Sequence, residues 1–266
     1  MEAGGFLLSP APSTASTTTN SNATLPQPRP LPLKPGGTKE STFIRYVDTR
    51  ILHIQRRFAK RTTPQDMQLS DIDREKADAW GDVKGYSKMS QACRDIEDLV
   101  GVVWVSGTPS LQVPYLINLA VVAGNVVTAM PPNPRSLFRV LGKLDHAFAS
   151  LIQGRDIETG EALPGFEGRR AVSATEKVRI RSLVERTRVA TMAAYKRGEF
   201  ESEVEEVEDE ADDEGGLVLE NEDPNAVEEG EDSYDMQLAR VYDLTMQEVG
   251  GSLEEGGIGI VTELRG

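Results

Sequence analysis

Apolar residues recur at intervals of three and four along residues 41–198, the spacing that gathers them on one face of an α-helix. The first helix is predicted to begin at Ser41 or Thr42, either of which can cap it, and to end near Arg61. Its apolar stripe consists of Ile44, Val47, Ile51, Ile54 and Phe58. Glycine just past a helix and proline soon after it commonly mark helix ends. A second helix is therefore predicted from about 87 to 105, with Gly107 and Pro109 ending it.

The third predicted helix begins near Pro114, because a proline in the first turn lacks only a donor that has no partner there. It is apolar on nearly every face, which is typical of the central, most buried helix of a bundle. The proline-rich stretch 131–134 forces its end.

A fourth helix is predicted over about 134–153, and Gly154 can adopt the left-handed conformation that ends it. Ser173 and Glu176 form a capping box that opens a fifth helix reaching about residue 197. The thin apolar stripe of this fifth helix is predicted to face inward and consists of Ile180, Leu183, Val184, Thr187 and Met192.

The expected fold is all-α: one bundle of about five helices over residues 41–198, with a buried central helix. Residues 1–40 are rich in Ser, Thr and Pro, and residues 199–232 are strongly acidic, so both are expected to be disordered. A short amphipathic helix is predicted at 233–250, detached from the bundle by the acidic tract. Residues 251–266 are expected to form a flexible C-terminus.

The formal net charge of −14 conceals a strong division along the chain. Residues 1–198 contain 27 Lys/Arg and 19 Asp/Glu, whereas residues 199–235 contain 19 Asp/Glu and no Lys or Arg. The acidic character belongs to the tract, and the predicted helical domain is mildly basic.

Residues typical of catalysis or metal binding are scarce. The chain has two histidines, His53 and His146, and one cysteine, Cys93, which gives no zinc-ligand spacing. Cys93 falls on an apolar helix face and is expected to be buried and inert. Asp145 and His146 are neighbours on a helix, where adjacent side chains point in different directions and do not form a dyad.

The chain also lacks a nucleotide-binding glycine motif. The acidic cluster Asp95, Glu97 and Asp98 is expected to be a solvated helix face in preference to a cation site. The sequence therefore predicts a non-enzymatic protein without a cofactor or metal. No membrane span is expected, since the longest apolar run, from Tyr115 to Met130, is short for a bilayer.

Two basic helices supply the candidate partner-contact residues. These residues are Arg56, Arg57, Lys60 and Arg61 on the first helix and Arg181 and Arg188 on the fifth. Three roles are open for such cations: solvated faces or binding of the acidic tract, contact with a protein partner, and contact with nucleic acid phosphates.

Three stretches resemble a known family. They are FIRYVDTRILHIQRRFAKR (43–61), YSKMSQACRDIEDLVGVVWVSGTPSLQVPYLINLA (86–120) and SLFRVLGKLDHAFASLIQG (136–154). The family is the fungal subunit 11 of the general transcription factor TFIIH, and the resemblance covers most of residues 41–197. It implies a non-catalytic, nuclear, all-helical subunit. Such a subunit associates with the DNA translocase/helicase subunit of TFIIH and promotes its release after initiation by RNA polymerase II.

The resemblance supplies no site residues, and two other functions stay open. One is a basic helical protein that binds nucleic acid directly. The other is a scaffold or chaperone whose acidic tract binds basic nuclear proteins.

Overall fold

Seven α-helices form the regular structure of this computed structural model, which describes residues 25–61, 83–166, 172–201 and 230–254. Within those ranges the only strand-like pairing is an isolated bridge between Arg155 and Ala162, and the all-α prediction is confirmed. The helices are α1 (Thr38–Ala59), α2 (Met89–Val105), α3 (Pro109–Ala129), α4 (Pro134–Gln153), α5 (Ala174–Arg197), α6 (Gly230–Ala239) and α7 (Asp243–Glu254).

Helix α3 is the buried centre of the bundle, as predicted, and contacts α1, α2, α4 and α5. By length and composition alone it is long and apolar enough to cross a membrane, and here most of its apolar side chains lie in the core. It begins at Pro109, five residues earlier than expected. Pro114 lies inside the helix, and it leaves the carbonyl of Ser110 without a helical donor. Both residues are exposed, so water can hydrate that carbonyl.

The ends of α4 and α5 follow the predicted chemistry. The Asn133 side chain accepts a hydrogen bond from the Ser136 amide at 3.0 Å, and Gly154 ends α4 with a φ of 73°. At α5, the Ser173 side chain accepts from the Glu176 amide, and the Glu176 carboxylate accepts from the Ser173 amide. This capping box satisfies amides that would otherwise lack a partner at the start of the helix.

The C-terminal part of the chain differs from its expected form. The single detached helix predicted at 233–250 is two helices, α6 and α7, and α7 packs against α4 and α5. Residues 240–242 separate the two helices, and Tyr242 has a φ of 56°, which is rare for a bulky residue. Val241, Tyr242 and Val249 are buried in the common core. This segment is therefore part of the bundle.

The N-terminal segment 25–37 also belongs to the fold, although residues 1–40 were expected to be a disordered arm. The Arg29 amide donates to the Val105 carbonyl at 3.1 Å, and the Leu33 amide donates to Thr108 Oγ1 at 2.8 Å. A Cβ atom at Gly107 would lie 2.7 Å from the Arg29 carbonyl oxygen, so this crossing requires glycine. The expectations for residues 1–24, 202–229 and 255–266 lie outside the described residues.

Candidate protein-interaction surfaces

Arg57, one of the predicted partner-contact residues, joins α1 to α2, and its contact with a partner stays a prediction. Its Nη1 lies 2.7 Å from Asp95 Oδ2, its Nε donates to the Lys84 carbonyl at 3.2 Å, and its guanidinium lies 4.2 Å from the centre of the Tyr86 ring. The Tyr86 hydroxyl donates to the same Asp95 oxygen at 2.7 Å. Burial, with this bond to Asp95, raises the pKa of Tyr86 well above its usual value. Arg57 therefore has a structural role in this fold.

The other candidate cations at the end of α1, Arg56, Lys60 and Arg61, are half-buried. Arg61 donates through Nη1 to the Phe58 carbonyl at 3.0 Å, and its guanidinium lies 4.3 Å from the centre of the Phe58 ring. The Nε of Arg56 is buried without a hydrogen-bond partner among the described residues. Arg56, Lys60 and Arg61 do not form a fully exposed basic patch, and their contact with a partner stays a prediction.

The acidic cluster of α2, Asp95, Glu97 and Asp98, was expected to be a solvated helix face. This prediction is wrong for Asp95 and Glu97. Asp95 binds Arg57, and Glu97 binds Arg139 and Lys143 of α4, each at 2.6 Å. Their side chains are only 17% and 12% exposed. The cause is that cations of α1 and α4, distant in sequence, face these positions and allow the carboxylates to be partly buried.

The basic residues of α5 lie on the surface. Arg181 pairs with Glu185 one turn later at 2.9 Å, and both side chains are about half exposed. Arg188 lies 3.7 Å from Asp243 at the start of α7. Pairs as exposed as Arg181–Glu185 add little stability, so Arg181 can turn toward a partner at small cost.

Large apolar side chains also lie exposed on α5, in line with these cations. Val178, Val189 and Met192 are 54%, 68% and 47% exposed. Met192 was expected to face inward, and this prediction is wrong. The helical repeat places Met192 on the side of α5 away from the buried Thr187 and Ile180. We call the following set the outer face of α5: Val178, Arg181, Glu185, Val189, Met192 and Lys196.

An open cavity of about 830 Å³ lies between the N-terminal segment, α1 and α2. Its walls are mainly apolar and include Phe43, Tyr46 and Val102, and Arg29, Lys39 and Asp98 supply charged groups. We call it the N-terminal groove. Sequence reasoning missed it, because residues 25–40 were not expected to pack on the bundle.

A second cavity of about 650 Å³ lies where the beginning of α4, the end of α5 and α6 meet. We call it the aromatic cavity because three of its lining residues are aromatic. It is lined by Asn133, Pro134, Met192, Tyr195, Lys196, Phe200, Glu201, Tyr234, Asp235 and Leu238.

The residue types that can act as nucleophiles or metal ligands show no arrangement for such chemistry within the described residues. Cys93 is buried, and burial raises the pKa of its thiol to about 12, which keeps it protonated. Within the described ranges, no three His, Cys, Asp or Glu side chains are grouped so that they could hold a metal ion.

Asp145 and His146 contact different parts of the chain. The Asp145 carboxylate accepts hydrogen bonds from the Thr245 amide at 2.7 Å, the Thr245 hydroxyl at 2.6 Å and the Leu244 amide at 3.2 Å. Burial raises the pKa of Asp145 to about 6, although these hydrogen bonds oppose the rise. His146 faces Asp156, with 3.3 Å between Nε2 and Oδ2. Asp145 thus binds the first turn of α7 to α4.

A comparison with known families gives a match that fits this helical bundle. A family model described as subunit 11 of the general transcription factor TFIIH matches residues 85–250. No curated protein and no solved structure matches the chain. The matched range holds α2 to α6 and most of α7, including the outer face of α5 and the aromatic cavity, while α1 precedes it.

The match places the chain among the subunits of a general transcription factor of RNA polymerase II. It spans more than half of the sequence, and the chain belongs to the family of TFIIH subunit 11. Two of the three resembling stretches, 86–120 and 136–154, lie within the matched range, and 43–61 lies before it.

Proposed function

We propose that this TFIIH subunit is a non-catalytic, nuclear protein that binds the DNA translocase/helicase subunit of TFIIH and promotes its dissociation after initiation. Family membership supports a place in TFIIH. The resemblance described above supplies the helicase partner and its release, and both are proposals for this chain.

The observation that carries this proposal is the outer face of α5. Val178 and Val189 are more than half exposed on a helix whose opposite side is fully used in the core. Their exposure leaves apolar surface that a partner helix or groove can bury, and the neighbouring Arg181 and Arg188 can contact carboxylates at its rim. This face lies within the range that the family shares.

The decisive experiment changes the two valines in the full-length protein, Val178→Asp together with Val189→Asp. Helicase co-purification with the tagged protein is then measured against the other TFIIH subunits. We expect at least a tenfold drop in helicase recovery, since about 1.4 kcal/mol of lost binding corresponds to a factor of ten. Val121→Asp is the matched control, because Val121 is a 40% exposed valine on α3 and does not belong to the outer face of α5.

A second measurement tests release directly. Purified full-length protein is added to TFIIH, and the helicase that remains with the other subunits is quantified. We expect release with the wild type and with Val121→Asp, and little release with the double variant. Helicase recovery that is equal for all three proteins would remove the outer face of α5 from the proposal. Absence of any TFIIH subunit in the wild-type purification would contradict the helicase partnership itself.

A further inference from the structure

The aromatic cavity has ring walls at steep angles to one another. The Tyr195 and Phe200 rings have centroids 5.4 Å apart and planes at 74°. Phe138 packs behind them, with its centroid 5.5 Å from that of Tyr195 and 6.2 Å from that of Tyr234. Helices α4, α5 and α6 each contribute one of these rings, so the walls are held by three separate elements.

Carboxylates share the cavity with these rings. The Ser90 hydroxyl donates to Glu201 Oε1 at 2.5 Å and the Ser90 amide to Oε2 at 3.0 Å, which fixes the Glu201 carboxylate. Asp235 is exposed at the cavity, and no cation among the described residues forms an ion pair with it. Lys196 is the one cation that lines the cavity, and its exposed side chain can extend into water.

The Tyr195 hydroxyl has an unmet hydrogen-bonding capacity. Its oxygen is buried and has no hydrogen-bond partner among the described residues. A buried hydroxyl without a partner costs free energy that a ligand with a suitable donor would recover. Aromatic ring faces and carboxylates both attract cations, so the missing group is expected to carry positive charge.

We infer that the aromatic cavity binds an arginine side chain from a basic segment of a partner protein. A guanidinium is planar and can stack on one ring while its N–H groups donate to the exposed Asp235 carboxylate. The inference does not depend on the proposed contact between the outer face of α5 and the helicase.

The charge distribution of the sequence favours the same kind of partner. Residues 199–235 contain 19 Asp/Glu and no Lys or Arg, and this stretch supplies Phe200, Glu201, Tyr234 and Asp235 to the cavity. A dense negative charge beside a site attracts basic segments and repels acidic ones. An arginine with further basic neighbours therefore fits this end of the molecule.

The test uses the full-length protein with ¹³C-labelled methionine methyl groups and two acetylated, amidated Gly/Ser octapeptides. One peptide carries a central arginine and the other carries citrulline, which has nearly the same shape and no charge. We expect the arginine peptide to shift the Met192 methyl signal, because Met192 lines the cavity. The signal of Met246 on α7, which does not line the cavity, serves as the internal control and should stay in place. Citrulline should bind at least about fivefold more weakly.

Two variants sharpen the result. Asp235→Asn and Tyr234→Leu should each weaken arginine-peptide binding by about fivefold, since each removes one attraction for the cation. Tyr46→Leu, in the N-terminal groove, is the matched control and should bind as the wild type does. Because Asp235 is exposed, Asp235→Asn preserves the fold even if Tyr234→Leu loosens α6. Equal binding of the two peptides, or unchanged binding by Asp235→Asn, would overturn the inference.

Discussion

Arginines on α1 and α5 have different roles, although the sequence presents both sets as basic side chains of amphipathic helices. Arg57 of α1 binds Asp95 and lies over the Tyr86 ring, so its charge is used inside the fold. Among the residues that the structure describes, Arg181 of α5 pairs with Glu185 of the same helix, and both are about half exposed. The difference arises from the neighbouring helix. A carboxylate on α2 faces Arg57, whereas solvent faces Arg181.

Carboxylates show the same contrast. Asp145 is 5% exposed and accepts three hydrogen bonds from residues 244 and 245 of α7. Glu185 is 49% exposed and pairs with Arg181. The buried groups hold helices together, and the exposed ones leave their charge available to a partner.

The largest effect is expected from removing the buried carboxylate. Asp145→Ala should lower the free energy of unfolding by about 3 kcal/mol, because the amides of Leu244 and Thr245 would lose their acceptor and the Thr245 hydroxyl would keep only the backbone carbonyl of residue 145. Urea unfolding followed by circular dichroism measures this change. Glu185→Ala is the exposed control and should change stability by less than about 0.5 kcal/mol. Similar values for the two variants would contradict the difference between inner and outer charges.

A smaller effect is expected at the α1–α2 contact. Arg57→Ala should lower the free energy of unfolding by about 2 kcal/mol, because it removes a charge-assisted pair with Asp95 and the packing on Tyr86. Arg181→Ala should cost less than about 0.5 kcal/mol. The same urea titration compares them. An Arg181 variant that is as unstable as the Arg57 variant would show that α5 also uses its cations for folding.

The smallest effect is a pH dependence. Since burial raises the pKa of Asp145 to about 6, the folded state holds a proton that the unfolded state, with a pKa near 4, has released. This contribution to stability is lost as pH rises through about 6, so the wild type should lose about 1 kcal/mol between pH 5 and 7.5.

Asp145→Asn serves as the reference for this pH dependence, because position 145 no longer titrates while the rest of the chain is unchanged. The wild type should therefore lose more stability than the variant over the same pH range. A wild type that gains stability relative to the variant would show that the hydrogen bonds to α7 outweigh burial.

Local sequence signals predict the individual helices well. The capping box at Ser173 and Glu176 and the left-handed Gly154 act through neighbours in the chain, so their positions are readable without tertiary structure. The start of α3 was misplaced because both Pro109 and Pro114 suit a first turn. Only the three-dimensional structure shows that Pro114 lies on the exposed side, where a helix interior tolerates it.

Contacts between residues that are distant in the sequence were harder to predict. Asp145 and Thr245 are 100 positions apart, and no periodicity in the sequence connects α4 with α7. The outer face of α5 was missed because Met192 was assigned to the inward stripe, whereas its side chain is 47% exposed in the structure. The aromatic cavity combines residues from three helices, whose juxtaposition is decided by packing. Candidate surfaces therefore require the structure, while the fold class does not.

Helix α1 covers apolar surface of the helices that lie within the matched family range. Val47, Ile51 and Ile54 are buried against the bundle, yet α1 precedes the matched residues 85–250. A fragment restricted to that range would expose the strip that α1 hides, and exposed apolar strips promote unspecific association. Interaction screens with such a fragment would recover proteins that replace a missing helix. A fragment for interaction screens should therefore begin before α1, and it must be longer than the matched range 85–250.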